Sequence, residues 1–190
     1  MRLAIVGGGA AGFFLAINAK EMMPELEVVI FERQNKVLSK VRISGGGRCN
    51  CTNSFADVTD LRQVYPRGAT LLKRLFKQFG PQDAYKWFES HGVPLTIQPD
   101  QCVFPQAQDS RVIIDCFLRE AARHGILLRL GEKIESPESL FPEFDYVAVT
   151  IGGTPKGEGC VPSLFTFNIN DTLLTALTGT VVENAIASIP

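Results

Sequence analysis

Three glycines near the amino terminus have the spacing of a phosphate-binding turn. Gly7, Gly9 and Gly12 fit the pattern G-x-G-x-x-G, and Glu32 stands twenty residues beyond the last of them. In this pattern the first glycine permits a tight turn, the second lets the backbone approach a pyrophosphate, and the third lets a helix pack closely. Phosphates would then lie at a helix amino terminus, and the acid would accept hydrogen bonds from ribose hydroxyls.

The segments around these glycines have the composition of the elements that such a turn connects. Residues 2–6 form an apolar run of strand length, residues 13–20 are typical of a helix, and residues 25–31 are typical of a second strand. Glycines alone would also fit an ordinary loop. Strand, glycine turn, helix, strand and acid in this order and spacing instead favour a dinucleotide-binding site.

A second glycine-rich stretch, residues 42–53, has neither helical nor strand periodicity. Its centre, residues 44–50, reads Ser-Gly-Gly-Gly-Arg-Cys-Asn. Three successive glycines predict a loop whose backbone comes close to another group. A flexible surface turn is the alternative, but such turns are usually rich in Ser, Asp or Lys rather than an Arg-Cys-Asn cluster.

The rest of the chain predicts an α/β protein. Helical periodicity covers residues 69–79, 81–90 and 109–123, and strands are expected at 93–97, 102–104, 126–130 and 144–151. The last helix should bury Val112, Ile113, Cys116, Phe117 and Leu118, and the last strand should be buried on both faces. Because Pro and Gly cluster at 154–160, we predict that residues 1–158 form a Rossmann-like domain with a parallel sheet. Residues 159–190 would begin a different, β-rich unit, with antiparallel strands expected at 164–169 and 181–189.

Composition and charge exclude several classes of protein. Of the 190 residues, 45% are hydrophobic and 21% are charged, as in ordinary globular chains. The net charge of −1 gives no reason to expect nucleic acid or an anionic membrane as a partner. No apolar run approaches the roughly 20 residues of a membrane span, and the first residues do not resemble a signal peptide, so we expect a cytoplasmic protein. Its five cysteines, an odd number, are expected to be reduced thiols.

Four segments together resemble one family of flavoproteins. They are the glycine pattern at 7–12, Lys40 with the stretch 44–53, Val103-Phe104-Pro105, and Thr150-Ile151-Gly152-Gly153. With these segments the chain resembles the BaiN-like reductases, also described as aminoacetone-oxidase-like FAD-binding enzymes. The string at 44–50 is the most specific of the four, and the resemblance implies that the dinucleotide is FAD rather than NAD.

The resemblance also implies which residues bind the cofactor. The glycine turn would hold the pyrophosphate, and Glu32 would bind the adenosine ribose. Lys40 and the loop at 44–50 would lie along the pyrophosphate, the ribityl chain and the flavin, and a Gly-Gly turn would return the last strand to the cofactor. The expected cofactor-binding residues are Gly7, Gly9, Ala10, Ala11, Gly12, Glu32, Arg33, Lys40, Ser44, Gly45, Gly46, Gly47, Arg48, Cys49, Asn50, Gly152 and Gly153.

The chain departs from the family pattern in several places. Val149-Thr150-Ile151 replaces the usual residues before the Gly-Gly turn, and Cys51 stands where the family usually has an aliphatic residue, so a functional Cys-x-Cys pair is not implied. Little room remains for the strand meander expected at 135–143 or for the helix that the family has between the Gly-Gly turn and the entry to the inserted domain at 160–162. Since the chain also ends at Pro190, inside what resembles the start of the inserted domain, we expect a partial chain with an incomplete active site.

The leading hypothesis is an FAD-dependent oxidoreductase that is reduced by NADH or NADPH and acts on a small organic substrate. Two alternatives remain: an NAD(P)-dependent dehydrogenase that uses the first site directly, and a flavin- or nucleotide-binding module without turnover. Arg48 is expected to place positive charge near the flavin or pyrophosphate, and Cys49 to serve packing rather than redox chemistry. No catalytic residue is identified. A metal site is not predicted, because Cys49, Cys51, Cys102 and His91 lack paired C-x-x-C spacing.

Overall fold

The computed structural model describes residues 1–152. Its strands and helices are, in chain order, β1 (Arg2–Val6), α1 (Ala10–Met22), β2 (Glu27–Glu32), α2 (Ser39–Ile43), β3 (Thr52–Asn53), α3 (Ala69–Leu75), α4 (Pro81–Ser90), β4 (Leu95–Ile97), β5 (Cys102–Pro105), α5 (Ser110–Arg123), β6 (Leu127–Leu130) and β7 (Tyr146–Val149). Short 3₁₀ helices lie at Ser44–Gly47, Leu61–Gln63 and Pro137–Leu140. Gly153, the predicted boundary at 158 and the predicted β-rich domain at 159–190 lie outside the described residues.

These elements form two compact units. Among the described residues, the first unit contains 1–37 and 124–152, and the second unit contains Leu38–Arg123. The second unit is therefore inserted between β2 and β6 of the first, a division within residues 1–158 that the sequence analysis does not distinguish. Each unit has its own sheet.

Four parallel strands form the sheet of the first unit, in the order β6-β2-β1-β7. Ile5 of β1 lies opposite Ile30 of β2 on one side and Ala148 of β7 on the other. Counted within this sheet, the order is third, second, first and fourth strand, which is the beginning of the Rossmann arrangement. The predicted α/β fold with a parallel sheet is confirmed.

Apolar layers cover both faces of this sheet at β1 and β2, whereas all four residues of β6 are exposed. Helix α1 is apolar on all sides, as a buried helix should be, and Phe13 and Ile17 are completely buried in it. On the other face, alternate residues of β1 and β2 pack with the segment before β7, where the rings of Phe31 and Phe144 meet edge to face at 5.8 Å. Burying such a side chain stabilises the fold by roughly 1.5–3 kcal/mol.

Strand β7 is shorter and less buried than its apolar sequence predicts. It spans Tyr146–Val149 rather than residues 144–151, and only Val147 in it is buried. Within residues 1–152, β7 pairs with β1 alone. The prediction of burial on both faces is therefore wrong for this part of the chain, because a strand at the edge of a sheet keeps some side chains half-exposed.

The second unit combines a small antiparallel sheet, in the order β3-β5-β4, with helices α2 to α5. Val103 lies in the central strand β5 and faces Thr52 of β3 and Ile97 of β4. The predicted hairpin of residues 93–97 and 102–104 is confirmed, with β3 added to it. Helix α4 has the predicted bounds, whereas α3 ends four residues earlier than predicted, at Leu75, and continues as a turn through Phe79.

Two of the five expected core residues of α5 are not buried, since Val112 is half-buried and Leu118 is exposed. Ile113, Cys116 and Phe117 are buried as predicted, but Leu118 is 36% exposed. The buried stripe continues instead through Glu120 and Ala121. Leu118 therefore lies just outside the buried face of α5. The number of apolar residues in this segment does not show exactly which face of the helix is turned toward the core.

Thr150 joins the ends of β7 and β1. Its amide donates a hydrogen bond to the carbonyl oxygen of Val6 at 2.8 Å, and its hydroxyl donates to the carbonyl oxygen of Gly7 at 2.9 Å. Thr150 is buried. A buried carbonyl that loses its donor is costly, so this hydroxyl stabilises the turn that follows β1.

Replacing Thr150 with Val tests this contact, because Val keeps the shape of Thr and removes only the hydroxyl donor. We expect Thr150→Val to lower the free energy of unfolding by about 1–2 kcal/mol. The control is Thr70→Val, the same change at an exposed position of α3, which should stay within about 0.5 kcal/mol of the parent. Urea unfolding followed by circular dichroism measures both, and equal stability of the two variants would contradict this role of Thr150.

Candidate functional site

The turn after β1 requires glycine at position 7. Gly7 has a φ of +117°, and its amide donates a hydrogen bond to the carbonyl oxygen of Phe31 at 2.8 Å. A Cβ atom at this position would lie 2.6 Å from the carbonyl oxygen of Thr150. Backbone atoms cannot move aside as a flexible side chain can, so any larger residue would force the ends of β1 and β7 apart.

The other two glycines of the pattern differ from each other in their surroundings. A Cβ on Gly12 would lie 2.2 Å from the carbonyl oxygen of Gly7, so α1 packs directly on the turn. A Cβ on Gly9 would have no described atom within 4 Å. Gly12 therefore serves packing within the protein, whereas the side of Gly9 is open to an approaching group.

The amino terminus of α1 is suited to an anion. Ala10 and Ala11 are its first residues and are half-exposed. Within the described chain, no side chain caps this end, and the first turn contains no acidic residue. The first amides of a helix lack intrahelical partners and carry the positive end of the helix dipole, so a phosphate group can bind them.

Glu32 lies at the carboxyl end of β2 and contacts the glycine turn. Its Oε2 atom accepts a hydrogen bond from the amide of Gly8, and its Oε1 atom accepts one from the amide of Gln34, both at 2.9 Å. A carboxylate has about four acceptor positions, so ribose hydroxyls could still bind it. Arg33 follows Glu32 and is exposed.

Gly8 is a site residue that the sequence analysis does not single out. A Cβ on Gly8 would lie 2.8 Å from Cγ1 of Val37 and 3.1 Å from Cβ of Glu32. Glycine at this position lets the Glu32 carboxylate reach the turn. The only sequence signal is that Gly8 stands within three consecutive glycines, of which the pattern G-x-G requires just the outer two.

The parallel strands bring these groups to one edge of the sheet. Gly7 follows β1, Glu32 ends β2, and Gly152, with a φ of +68°, follows β7. Because β1 has β2 on one side and β7 on the other, the strand order reverses next to β1. Ligands of such sheets bind outside the carboxyl ends of the strands at this switch point, where the predicted dinucleotide site lies.

In the second unit, the 44–50 loop forms a tight turn. Gly45, Gly46 and Gly47 have φ angles of +55°, +69° and +85°. The amide of Cys49 donates to the carbonyl oxygen of Ser44 at 3.0 Å, which closes the turn. Left-handed backbone at three successive residues strains any other residue type, so the glycines are required by the turn itself.

Arg48 is fixed within the second unit. Its guanidinium carbon lies 4.1 Å from the centre of the Phe104 ring, a cation–π contact. Its Nε donates to the carbonyl oxygen of Gly45, and one terminal nitrogen donates to Oε1 of Gln108, both at 3.2 Å. Arg48 is half-buried, so it holds a positive charge at a defined place beside the turn.

Three further residues that are predicted to bind the cofactor, one on α2 and two in the 44–50 loop, differ in exposure. Lys40 on α2 and Asn50 after the turn are exposed, whereas Cys49 is buried. A hydrogen bond with the Cys51 side chain lowers the pKa of Cys49 to about 7, against the opposing effect of burial. The same hydrogen bond, together with burial, raises the pKa of Cys51.

Residues 1–152 contain neither a group of metal-ligating side chains nor a membrane-spanning helix. No group of three or more His, Cys, Asp or Glu side chains in this range is arranged to hold a metal ion. None of the helices in the same range combines the length and apolarity needed to cross a bilayer.

Comparisons with known proteins agree with this architecture. Residues 1–150 match the family described as HI0933-like protein Rossmann domain. The 3-dehydro-bile acid delta(4,6)-reductase of Clostridium scindens is 27% identical over 135 residues, which are 71% of this chain and 32% of the reductase. The chain thus spans about a third of the length of that relative.

The solved structures that match this chain include two proteins of low identity. THI4 of Thermovibrio ammonificans has a TM-score of 0.45 and 12% identity, over 70% of this chain and 43% of that one. The open conformation of a flavocytochrome c3 fumarate reductase has a TM-score of 0.43 and 20% identity, over 68% of this chain and 26% of that one.

The different surroundings of Gly12 and Gly9 predict different effects of the same substitution. Gly12→Ala should lower the free energy of unfolding by about 3 kcal/mol, because its Cβ would overlap backbone. Gly9→Ala, the matched control three residues away, should change it by no more than about 0.5 kcal/mol, since Gly9 has extended backbone and open surroundings. Chemical denaturation of both variants measures the difference. A Gly12→Ala protein as stable as the parent would contradict the close packing of α1 on the turn.

Proposed function

Because the chain belongs to the HI0933-like Rossmann-domain family, we propose that it binds FAD and acts as the nucleotide-binding part of an FAD-dependent oxidoreductase. The family match and the Clostridium scindens relative confirm the resemblance to the BaiN-like reductases. The observation that carries the proposal is the uncapped, acid-free start of α1 beside the open side of Gly9. Such an arrangement favours a pyrophosphate over a neutral ligand.

In this proposal the adenosine diphosphate half of FAD binds the first unit. The amides of Gly9, Ala10 and Ala11 would hold the pyrophosphate, and the helix dipole would stabilise its charge. The Glu32 carboxylate would accept hydrogen bonds from ribose hydroxyls while keeping its bond to the Gly8 amide. The same carboxylate would repel a 2′-phosphate, which disfavours NADP at this position.

We assign the loop at 44–50 to the same cofactor. The support is the match of this string to the family pattern and the fixed guanidinium of Arg48. Lys40 and Arg48 would place positive charge beside the phosphates or the flavin, where it would stabilise negative charge. When bound, the flavin supplies two-electron transfer, and the protein contributes orientation and electrostatics.

The reductant and the substrate are proposed only by class. NADH or NADPH would reduce the flavin, a small organic molecule would be the substrate, and the protein would work in the cytoplasm. The relative from Clostridium scindens is named for a 3-dehydro-bile acid, but this chain spans about a third of it. The alternatives are a flavin-binding module without turnover and a dehydrogenase that binds NAD(P) in the first site.

Binding measurements test the FAD assignment. We expect the protein to bind FAD, and ADP but not FMN to compete, because the first unit would hold the adenosine diphosphate half. Glu32→Gln should weaken FAD binding about tenfold or more, since a hydrogen bond to a charged group contributes about 1.5–3 kcal/mol. The control is Glu27→Gln at the opposite end of β2, which should bind FAD like the parent. Flavin fluorescence quenching measures all of these affinities.

Ligand preference and flavin reduction separate the oxidoreductase from the dehydrogenase and from the binding module. Binding of NAD with no measurable affinity for FAD would overturn the proposal in favour of the dehydrogenase. Bound FAD whose absorbance is not bleached by NADH or NADPH under anaerobic conditions would favour the module. Competition by FMN in place of ADP would contradict the assignment of the glycine turn to the adenosine end.

A further inference from the structure

Two cysteines share one turn of the second unit. Cys49 and Cys51 are separated by Asn50, and both are free thiols. The Sγ atom of Cys51 lies 3.5 Å from the carbonyl oxygen of Cys49, to which its thiol donates. The Cys51 side chain therefore folds back over Cys49 instead of pointing along the chain.

The backbone of this segment is compatible with a covalent bond between the two sulfurs. Two residues span at most about 7 Å, and a disulfide needs Cα atoms about 4.4–6.8 Å apart. Cys49 has a φ of +62°, which bends the chain sharply at this position. Because the Cys51 thiol already folds back onto the Cys49 carbonyl oxygen, rotation about the side-chain torsions of the two residues can bring their sulfurs together.

The two thiols have the chemistry of an attacking and a resolving cysteine. The thiolate is the reactive form, and the pKa of Cys49 near 7 makes this form abundant at neutral pH. The pKa of Cys51 is raised, first by its contact with the Cys49 side chain and then by burial, so Cys51 keeps its proton while Cys49 is reduced. The contribution of Cys49 ends when Cys49 becomes a sulfenic acid, and Cys51 can then release its proton as it attacks. Cys49 retains 8% exposure and Cys51 is half-buried, so we expect only an oxidant as small as hydrogen peroxide to reach Cys49.

We propose that Cys49 and Cys51 form an oxidation-sensitive dithiol that a small peroxide converts reversibly into a disulfide within the turn. The Cys49 thiolate attacks one peroxide oxygen, the O–O bond breaks, and with hydrogen peroxide the departing hydroxide takes up a proton to become water. The Cys51 sulfur then attacks the Cys49 sulfenic acid. The S–S bond forms, the S–O bond breaks, and a second water leaves with the Cys51 proton.

Hydrogen peroxide is the only oxidant that this reaction consumes, and no flavin takes part in it. Two thiols and one hydrogen peroxide give one disulfide and two waters, with two electrons passing from sulfur to oxygen. The disulfide would lie between two anchored points of the turn, since the amide of Cys49 is bonded to Ser44 and that of Cys51 to Val103. Oxidation would therefore alter the 44–50 loop, which the proposed function assigns to FAD.

Peptide mass spectrometry of the reduced, full chain after hydrogen peroxide treatment tests the proposal. We expect the peptide that contains both cysteines to lose two hydrogen atoms, and dithiothreitol to restore it. Cys116, fully buried and with its pKa raised by burial, provides the internal reference and should react about tenfold more slowly or less. The Cys116→Ser variant should form the same disulfide as the parent.

Substitution of the resolving cysteine provides a second readout. Cys51→Ser should leave Cys49 as a sulfenic acid that dimedone traps, whereas the parent should give little dimedone adduct. A disulfide from Cys49 or Cys51 to any other cysteine would overturn the proposal. So would oxidation of Cys49 and Cys116 at equal rates, or oxidation of Cys49 beyond the sulfenic acid in the parent without loss of the Cys51 thiol.

Discussion

The ends of β1 and β7 lie so close to the start of α1 that only backbone fits between them. Added Cβ atoms would lie 2.6 Å from the carbonyl oxygen of Thr150 at Gly7, and 2.2 Å from the carbonyl oxygen of Gly7 at Gly12. This contact fixes the direction in which α1 leaves the sheet. Its first amides therefore point outward at the carboxyl edge, where the strand order reverses and a ligand can bind.

Two glycine-rich turns in this chain use glycine for different reasons. At Gly7 and Gly12 a side chain would collide with neighbouring backbone, whereas Gly46 has no described atom within 4 Å and is required by its left-handed φ. The first turn leaves amides available at a helix end. The second closes on itself and fixes a cation, because the guanidinium of Arg48 stacks on Phe104. An available helix end and a fixed cation each suit a negatively charged cofactor.

Elements with a strong periodic or motif signal could be predicted from the sequence, and these include the parallel strands, α1, α4 and the β4–β5 hairpin. What the sequence does not contain is the set of long-range contacts. The bond from the Gly8 amide to Glu32 joins residues that only the parallel pairing of β1 and β2 brings together. The exposure of Leu118 likewise depends on how α5 is rotated against its neighbours, which the apolar count of the helix leaves open.

The central claim is that the start of α1, with Glu32 beside it, binds the adenosine diphosphate half of a dinucleotide. A titration of the ¹⁵N-labelled protein with ADP, followed by ¹H–¹⁵N correlation spectra, tests it residue by residue. We expect the largest shifts at the amides of Gly9, Ala10 and Ala11, with further shifts at Arg33 beside the ribose-binding acid. Saturable shifts confined to other residues, with the amides of the glycine turn unchanged, would contradict the claim.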